Sequence, residues 1–247
     1  MNLSNPRAAI LNMGRDGARA LRVALAFALP QRCALCMRMC GDACLCDLCA
    51  DAIAPAAPAC PRCALPSPAG AVCGRCLAHP PAFDAALAAG LYAFPLDRLV
   101  MRLKYAADLP LAAALGALLA RAAVAAGAPG RVDALVAMPL AAARQRARGC
   151  NQAREIAKAL ARASGLPIAR GLLRIKAGAP QAALPWRERV RNVRGAFAAS
   201  RAFDGMRVAL VDDVMTTGAT ASAAAAALRR AGAAHVEAWV VARTPVP

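Results

Sequence analysis

Arg207-Val208-Ala209-Leu210-Val211-Asp212-Asp213-Val214-Met215-Thr216-Thr217-Gly218-Ala219-Thr220 is the stretch that decides how this 247-residue chain is read. Apolar Val208 to Val211 has the short continuous run of a strand buried in a parallel sheet, and it ends on two carboxylates. A hydroxyl-rich turn follows, then an Ala-rich helix over about 217–231. Gly218 lets backbone approach a ligand closely, and the new helix aims its N–H groups and positive dipole end at the same point. Thr216, Thr217 and Thr220 add hydroxyl donors, so a phosphate suits the turn. Asp212 and Asp213 suit a ribose diol, or Mg²⁺ held through water. An ordinary acid-capped turn is the alternative, but adjacent carboxylates at a strand end are costly without a ligand or cation. The ligand expected here is a sugar phosphate.

Working outward, strand-like and helix-like segments alternate. A strand is expected over Leu91-Tyr92-Ala93-Phe94 at a sheet edge, with helices through 98–105 and 111–126. A buried strand over 134–138 stops at Pro139, and an arginine-rich loop with Arg144, Arg146 and Arg148 leads to a helix ending near 163. His235 opens the last strand, which runs to about 242. This order predicts an α/β fold, a parallel sheet flanked by helices with right-handed crossovers, and ligands bound beyond the strands' C-terminal ends. The loops after Met138 and Val211 should then share one rim.

Ten of the eleven cysteines lie from Cys33 to Cys76, eight of them in four Cys-x-x-Cys pairs: Cys33/Cys36, Cys46/Cys49, Cys60/Cys63 and Cys73/Cys76. Nine residues separate the first two pairs, and nine the last two. Two such knuckles complete a tetrahedral S₄ site, so two structural zinc sites are expected, with sequential pairing favoured over crossed. A disulfide framework or a redox motif explains the matched spacing less well. Cys40 and Cys44 are surplus; either replaces Cys46 or stands alone. Residues 33–80 hold few large apolar side chains, so metal would supply roughly 10 kcal/mol or more per site. The expected organisation is a leader over 1–30 containing an amphipathic helix at 17–29, a small zinc-ribbon-like module over 31–80, and an α/β domain over 81–247.

The formal net charge is +17, and arginine dominates it: only Lys104, Lys158 and Lys176 are lysines. Residues 144–201 alone carry 14 basic residues against Glu155 and Glu188. Arginine's forked guanidinium favours phosphate, so a polyanionic partner such as single-stranded DNA fits, although only Trp186 and Phe197 offer stacking rings within that band. No segment reaches the ~18 apolar residues of a membrane helix. The short apolar run after Arg22 leads straight into paired cysteines, so a cytoplasmic protein is expected rather than an exported one.

The strand, acid pair and Thr-Thr-Gly-x-Thr loop resemble the 5-phosphoribosyl 1-diphosphate (PRPP) motif of the phosphoribosyltransferase superfamily. Further segments, in order, resemble its ComF branch of competence-associated proteins. They are the Cys-x-x-Cys pairs, Leu103-Lys104-Tyr105, Pro139-Leu140, Arg148-Gly149-Cys150-Asn151-Gln152, Gln181, and Arg189-Val190-Arg191-Asn192-Val193-Arg194-Gly195-Ala196-Phe197. Together they span most of residues 30–243. The resemblance implies a type I phosphoribosyltransferase-like fold binding PRPP with Mg²⁺. Asp212 and Asp213 would be catalytic, Thr216, Thr217, Gly218, Ala219 and Thr220 would hold the 5-phosphate, and Arg144, Arg148 and, more weakly, Lys104 would face the diphosphate. It implies a role in natural transformation and DNA uptake, or in nucleotide metabolism, with the DNA-import machinery among possible partners. Two departures stand out. Cys150 replaces a usual phenylalanine and is expected as buried packing, and Thr216 stands where purine-salvage relatives place an aspartate base. Enzyme activity stays open beside the alternative of a non-catalytic single-stranded DNA- or partner-binding protein that keeps the PRPP site as a sensor or relic. His79 and His235 are expected to be structural.

Overall fold

The structure, a computed structural model, describes residues 31–40, 44–53, 58–106, 108–176, 193 and 195–245. They fall into two units, 1–52 and 53–247. The helix expected at 17–29, Gln181, Trp186 and residues 189–192 lie outside the described residues. Among the described residues no helix is long and apolar enough to cross a membrane.

Among the described residues of the first unit is one short helix, α1 (Asp47–Asp51). In the second, α2 (Gly74–Ala78) precedes β1 (Ala85–Leu91), α3 (Leu96–Tyr105), α4 (Pro110–Ala125), β2 (Ala134–Ala137), α5 (Ala142–Arg148) and α6 (Gln152–Ser164). β3 (Leu172–Arg174) and β4 (Phe197–Ala199) form a small antiparallel pair, before β5 (Arg207–Met215), α7 (Ala219–Arg230) and β6 (His235–Arg243). The main sheet is wholly parallel in the order β1-β6-β5-β2, flanked by helices, as the alternation of elements predicts. Its central strands carry apolar runs because both faces are covered: Val208 to Val211 and Ala238 to Ala242 are all buried.

Three expectations change. The edge strand is Ala85–Leu91, not 91–94: alanines fill the narrow space over β6, while Tyr92 and Phe94 follow in a turn where Phe94 is 79% exposed. The aromatic rings had carried the β signal, but Leu91 is the last residue paired with β6. β5 does not end on the two aspartates; it runs on to Met215, with Asp212 opposite Val240 and Met215 opposite Arg243. The arginine-rich loop is a helix, α5, closed by Gly149 in the left-handed region at φ 72°.

One buried acid sits on the central strand β6. Glu237 is 1% exposed, and burial pushes its carboxyl up, but the hydrogen bonds it accepts from Arg131, Trp239 and His235 bring it below the usual range. Arg131 grips it through Nε at 2.8 Å and Nη2 at 3.2 Å, and Trp239 Nε1 donates at 2.8 Å. That network joins the turn before β2 to the central strand, and such a charge is tolerated only when paired.

α4 and α6 meet where α4 has no side chain. A Cβ on Gly116 would stand 2.5 Å from Ala159 Cβ and 2.8 Å from the Ile156 carbonyl oxygen. Alanine would gain about 1 kcal/mol in helix propensity. Overpacking against backbone costs about 1–3 kcal/mol. Gly116→Ala is therefore expected to destabilise the protein in urea titration despite its better propensity, and Gly116→Val more so.

Candidate functional site

A cleft of about 410 Å³ opens at the C-terminal ends of β2 and β5. One wall is the turn from β5 into α7. Gly218, at φ 79°, is the residue before the helix, so α7 starts at Ala219, two residues later than the composition suggests. An added Cβ there would make only ordinary contacts, 3.7 Å to Met215 Sδ and 3.8 Å to Phe83 Cζ. The backbone angle, not space, is what demands glycine. Thr216, Thr217, Gly218 and Thr220 line the cleft, whereas Ala219 does not; its N–H donates to Thr217 Oγ1 at 3.3 Å.

Asp212 and Asp213 form the floor. Asp212 Oδ1 accepts the Asp213 N–H at 2.9 Å, and Asp213 Oδ2 lies 3.3 Å from Lys104 Nζ at the end of α3. Burial, then the charge of Asp213, push the Asp212 carboxyl up to about 7, against the opposing pull of Lys104 and Arg174. Two carboxylates this close resist joint ionisation until a cation arrives.

Arg144 and Arg148 reach the opposite wall from α5. Arg148 also lies 5.5 Å from the ring of Tyr105, which is 70% exposed. The lining further includes Arg174, which sequence reasoning passed over. Its guanidinium packs over Phe197 at 5.5 Å and donates through Nε to the Lys176 carbonyl at 3.2 Å. Burial, then Arg144, lower its affinity for the proton, while Asp212 opposes them. The antiparallel pairing of β3 with β4, which carries Arg174 to the cleft, leaves no local signature. Asn151 and Gln152 complete the wall for a structural reason. Asn151 caps α6 by accepting the Arg154 N–H at 3.3 Å and ties it to β2 by donating to the Met138 carbonyl at 3.0 Å. Buried Gln152 accepts from Arg148 Nη1 at 3.4 Å. Cys150 beside them is partly exposed rather than buried, because it follows Gly149 at the mouth of the turn.

The eight paired cysteines gather into two quartets, Cys33/Cys36/Cys46/Cys49 in the first unit and Cys60/Cys63/Cys73/Cys76 in the second. Within each, the sulfurs lie within 4.8 Å of one another. Cys36 and Cys46 Sγ are 3.7 Å apart, and Cys63 and Cys73 Sγ 3.6 Å. Zn–S bonds of ~2.3 Å in a tetrahedron put sulfurs about 3.8 Å apart, so the residues fit zinc and are too far apart for disulfides. The quartets are tandem copies of one motif. In both, the first cysteine N–H donates to the carbonyl five residues on, Cys33 to Arg38 and Cys60 to Leu65, each at 2.7 Å. In both, the residue after the second cysteine has positive φ, Met37 at 63° and Ala64 at 57°.

Their thiols divide alike. Burial raises Cys33, but N–H groups of Cys36, Cys46 and Leu35 overcome it and bring the thiol to about 6. Cys60 is likewise raised by burial and brought to about 7 by those of Cys73, Cys63 and Arg62. Burial and neighbouring sulfurs push Cys49 up to about 12, and Cys76 also upward. Four sulfurs held this close without a cation repel as thiolates, and a metal relieves that conflict. Neither histidine joins a quartet. His235 bridges Asp84 and Glu237 at 3.3 and 3.2 Å.

A parallel α/β sheet with a cationic, acid-floored cleft at its C-terminal rim and tandem cysteine quartets defines the class. No family model matches the chain. It is 36% identical over 206 residues to the DNA utilization protein YhgH of Salmonella typhi, covering 81% of this chain and 90% of that one. The YhgH of Escherichia coli K12 is 34% identical over 208 residues with the same coverage. Competence protein F of Haemophilus influenzae is 33% identical over 178 residues, or 69% of this chain and 78% of that one. The chain belongs to the ComF family.

Two outcomes follow from the site. The raised carboxyl of Asp212 disfavours its ionised form in the fold, so its cost appears above the unfolded value near 4 and is complete above about 7. Asp212→Asn keeps the acceptor for the Asp213 N–H and is expected to stabilise the ligand-free protein by about 1–3 kcal/mol at pH 8, with little gain at pH 4, in thermal unfolding. Elemental analysis is expected to find two zinc ions per chain, and Cys60→Ser with Cys63→Ser to leave one.

Proposed function

We propose that the cleft binds PRPP together with Mg²⁺ and that the protein acts on DNA taken up by the cell or on the nucleotides derived from it. The observation that carries this reading is the convergence of Asp212, Asp213, the Thr216–Thr220 loop, Lys104, Arg144, Arg148 and Arg174 on one cleft. In this arrangement the loop's N–H groups and hydroxyls hold the 5-phosphate, with the dipole of α7 behind them. Asp212 and Asp213 accept from the ribose 2- and 3-hydroxyls. Arg144, Arg148, Arg174 and Lys104 face the diphosphate, where negative charge grows as the bond to C1 breaks. Magnesium, bound with the ligand, would neutralise part of that charge and relieve the repulsion between the two aspartates. Diphosphate leaves from C1 with the bonding electron pair, and an acceptor nucleophile takes its place. With Thr216 where related enzymes carry a base, the acceptor must bring an attacking atom that needs little help losing its proton.

The names of its relatives, a DNA utilization protein and a competence protein, support a role with incoming DNA. A second reading has its own observation: exposed Tyr105 beside Arg148 gives a ring and a cation at the mouth of the cleft, a combination suited to an unpaired base and its phosphate. In that reading the protein is a single-strand binder whose PRPP site reports nucleotide supply.

Calorimetry with PRPP and Mg²⁺ tests the first reading. Saturable binding is expected in the wild type. It should weaken at least 100-fold in Asp212→Asn/Asp213→Asn, with the circular dichroism spectrum kept. A wild type that takes up no heat with PRPP sinks the reading. Tyr105→Ala with equal affinity for a short single-stranded oligonucleotide, or no oligonucleotide binding at all, removes the second.

A further inference from the structure

The second cysteine quartet is tied to the back of the cleft's loop by two arginines. Arg243, at the end of β6, is 1% exposed and donates through Nε to the Cys63 carbonyl at 2.7 Å. Its Nη1 donates to the carbonyls of Met215 at 2.8 Å and of Thr216, and to that of Thr244 at 3.0 Å. Arg75, between Cys73 and Cys76 in α2, donates through Nη2 to the Thr217 carbonyl at 2.9 Å. Three consecutive loop carbonyls, Met215, Thr216 and Thr217, thus accept from guanidinium groups, and each group is in contact with the quartet or part of it.

In a trans peptide the N–H points opposite to the C=O, and among the described residues only Phe94–Pro95 is cis. Holding those three carbonyls on the quartet side therefore turns the N–H groups of Thr216, Thr217 and Gly218 to the other side, the side on which these residues line the cleft. A donor array that must face an anion is worth most when it needs no rearrangement on binding.

We propose that Arg243 and Arg75 are positioning residues of this loop and that the second quartet is their anchor, so that metal at the quartet and phosphate in the cleft are coupled. The quartet fixes the Cys63 carbonyl and the Arg75 backbone; these fix the guanidinium groups, which fix the loop. Coupling of this kind is reciprocal: a ligand that holds the loop also slows loss of the metal. The ligand half rests on the phosphate-binding reading of the cleft, whereas the brace itself does not.

Hydrogen–deuterium exchange of the intact protein tests the brace without a ligand. Peptides covering 215–221 are expected to exchange at least tenfold faster in Arg75→Ala, in Arg243→Lys and after chelation of zinc, while those covering 236–241 of β6 stay as in the wild type. Arg75 is only partly buried, so Arg75→Ala decides the matter even if Arg243→Lys folds poorly. Unchanged exchange at 215–221 in Arg75→Ala overturns the brace whatever the cleft binds. Calorimetry then tests the coupling with two probes. Ribose 5-phosphate and PRPP–Mg²⁺ are expected to weaken by the same factor, at least tenfold, because both lose the contact at the 5-phosphate. Weakening of PRPP alone overturns the positioning role. A wild type that binds neither probe overturns the phosphate reading, and the exchange result still decides the brace.

Discussion

Two carboxylates at adjacent positions on a buried strand set the terms for the rest of the site. Alternation along β5 would send neighbouring side chains to opposite faces, yet Asp212 and Asp213, close to the strand's end at Met215, both border the cleft. Loss of water, then their repulsion, lifts Asp212 to about 7. The fold answers with cations from three separate elements: Lys104 from α3, Arg144 and Arg148 from α5, and Arg174 from β3. Together they set four basic side chains around the acid pair, the arrangement from which binding of an anion with an attached cation is proposed.

The tandem quartets obey the same electrostatic logic with sulfur in place of oxygen. Each puts four thiols closer than thiolates tolerate, stabilises one with backbone N–H groups and pushes others toward protonation. A positive φ at Met37 and Ala64, costly for residues with a Cβ, recurs at the same point of both copies. Closing the knuckle round a metal would offset that cost. The second copy makes long-range bonds, from Arg243 to Cys63, from Arg75 to Thr217 and from the Ala86 N–H to Pro61. Through them the second quartet is tied to the loop between β5 and α7 and to β1.

Much of this was legible because the signals are short-range. The run Val208 to Val211, the glycine before α7 and the four Cys-x-x-Cys pairs each depend on residues within a few positions of one another. Boundaries failed where a partner elsewhere overrules local preference. β1 lies over 85–91 because alanines fit against β6, and the aromatic pair Tyr92 and Phe94, which looks like strand, lies beyond the last paired residue. The arginines at 144, 146 and 148 read as loop from their charge, but the turn between Ala141 and Gly149 closes as a helix with its cations toward solvent and the cleft. Arg174 was invisible because its role comes from a strand pair that folds back, not from its neighbours in the chain.

The sequence by itself determined the class of the fold, the acid pair, the hydroxyl loop and the four Cys-x-x-Cys pairs, because each follows from spacing and side-chain chemistry, whereas the structure decided which pairs share a quartet. Only tertiary structure decided which cations face those acids and that Arg243, a basic residue at the end of an apolar strand, would be buried. It also decided that the second quartet would stand behind the loop. Those depend on contacts between residues as far apart as Cys63 and Arg243, and bringing such distant groups together is the work of the packed sheet, for which no local pattern of residues exists.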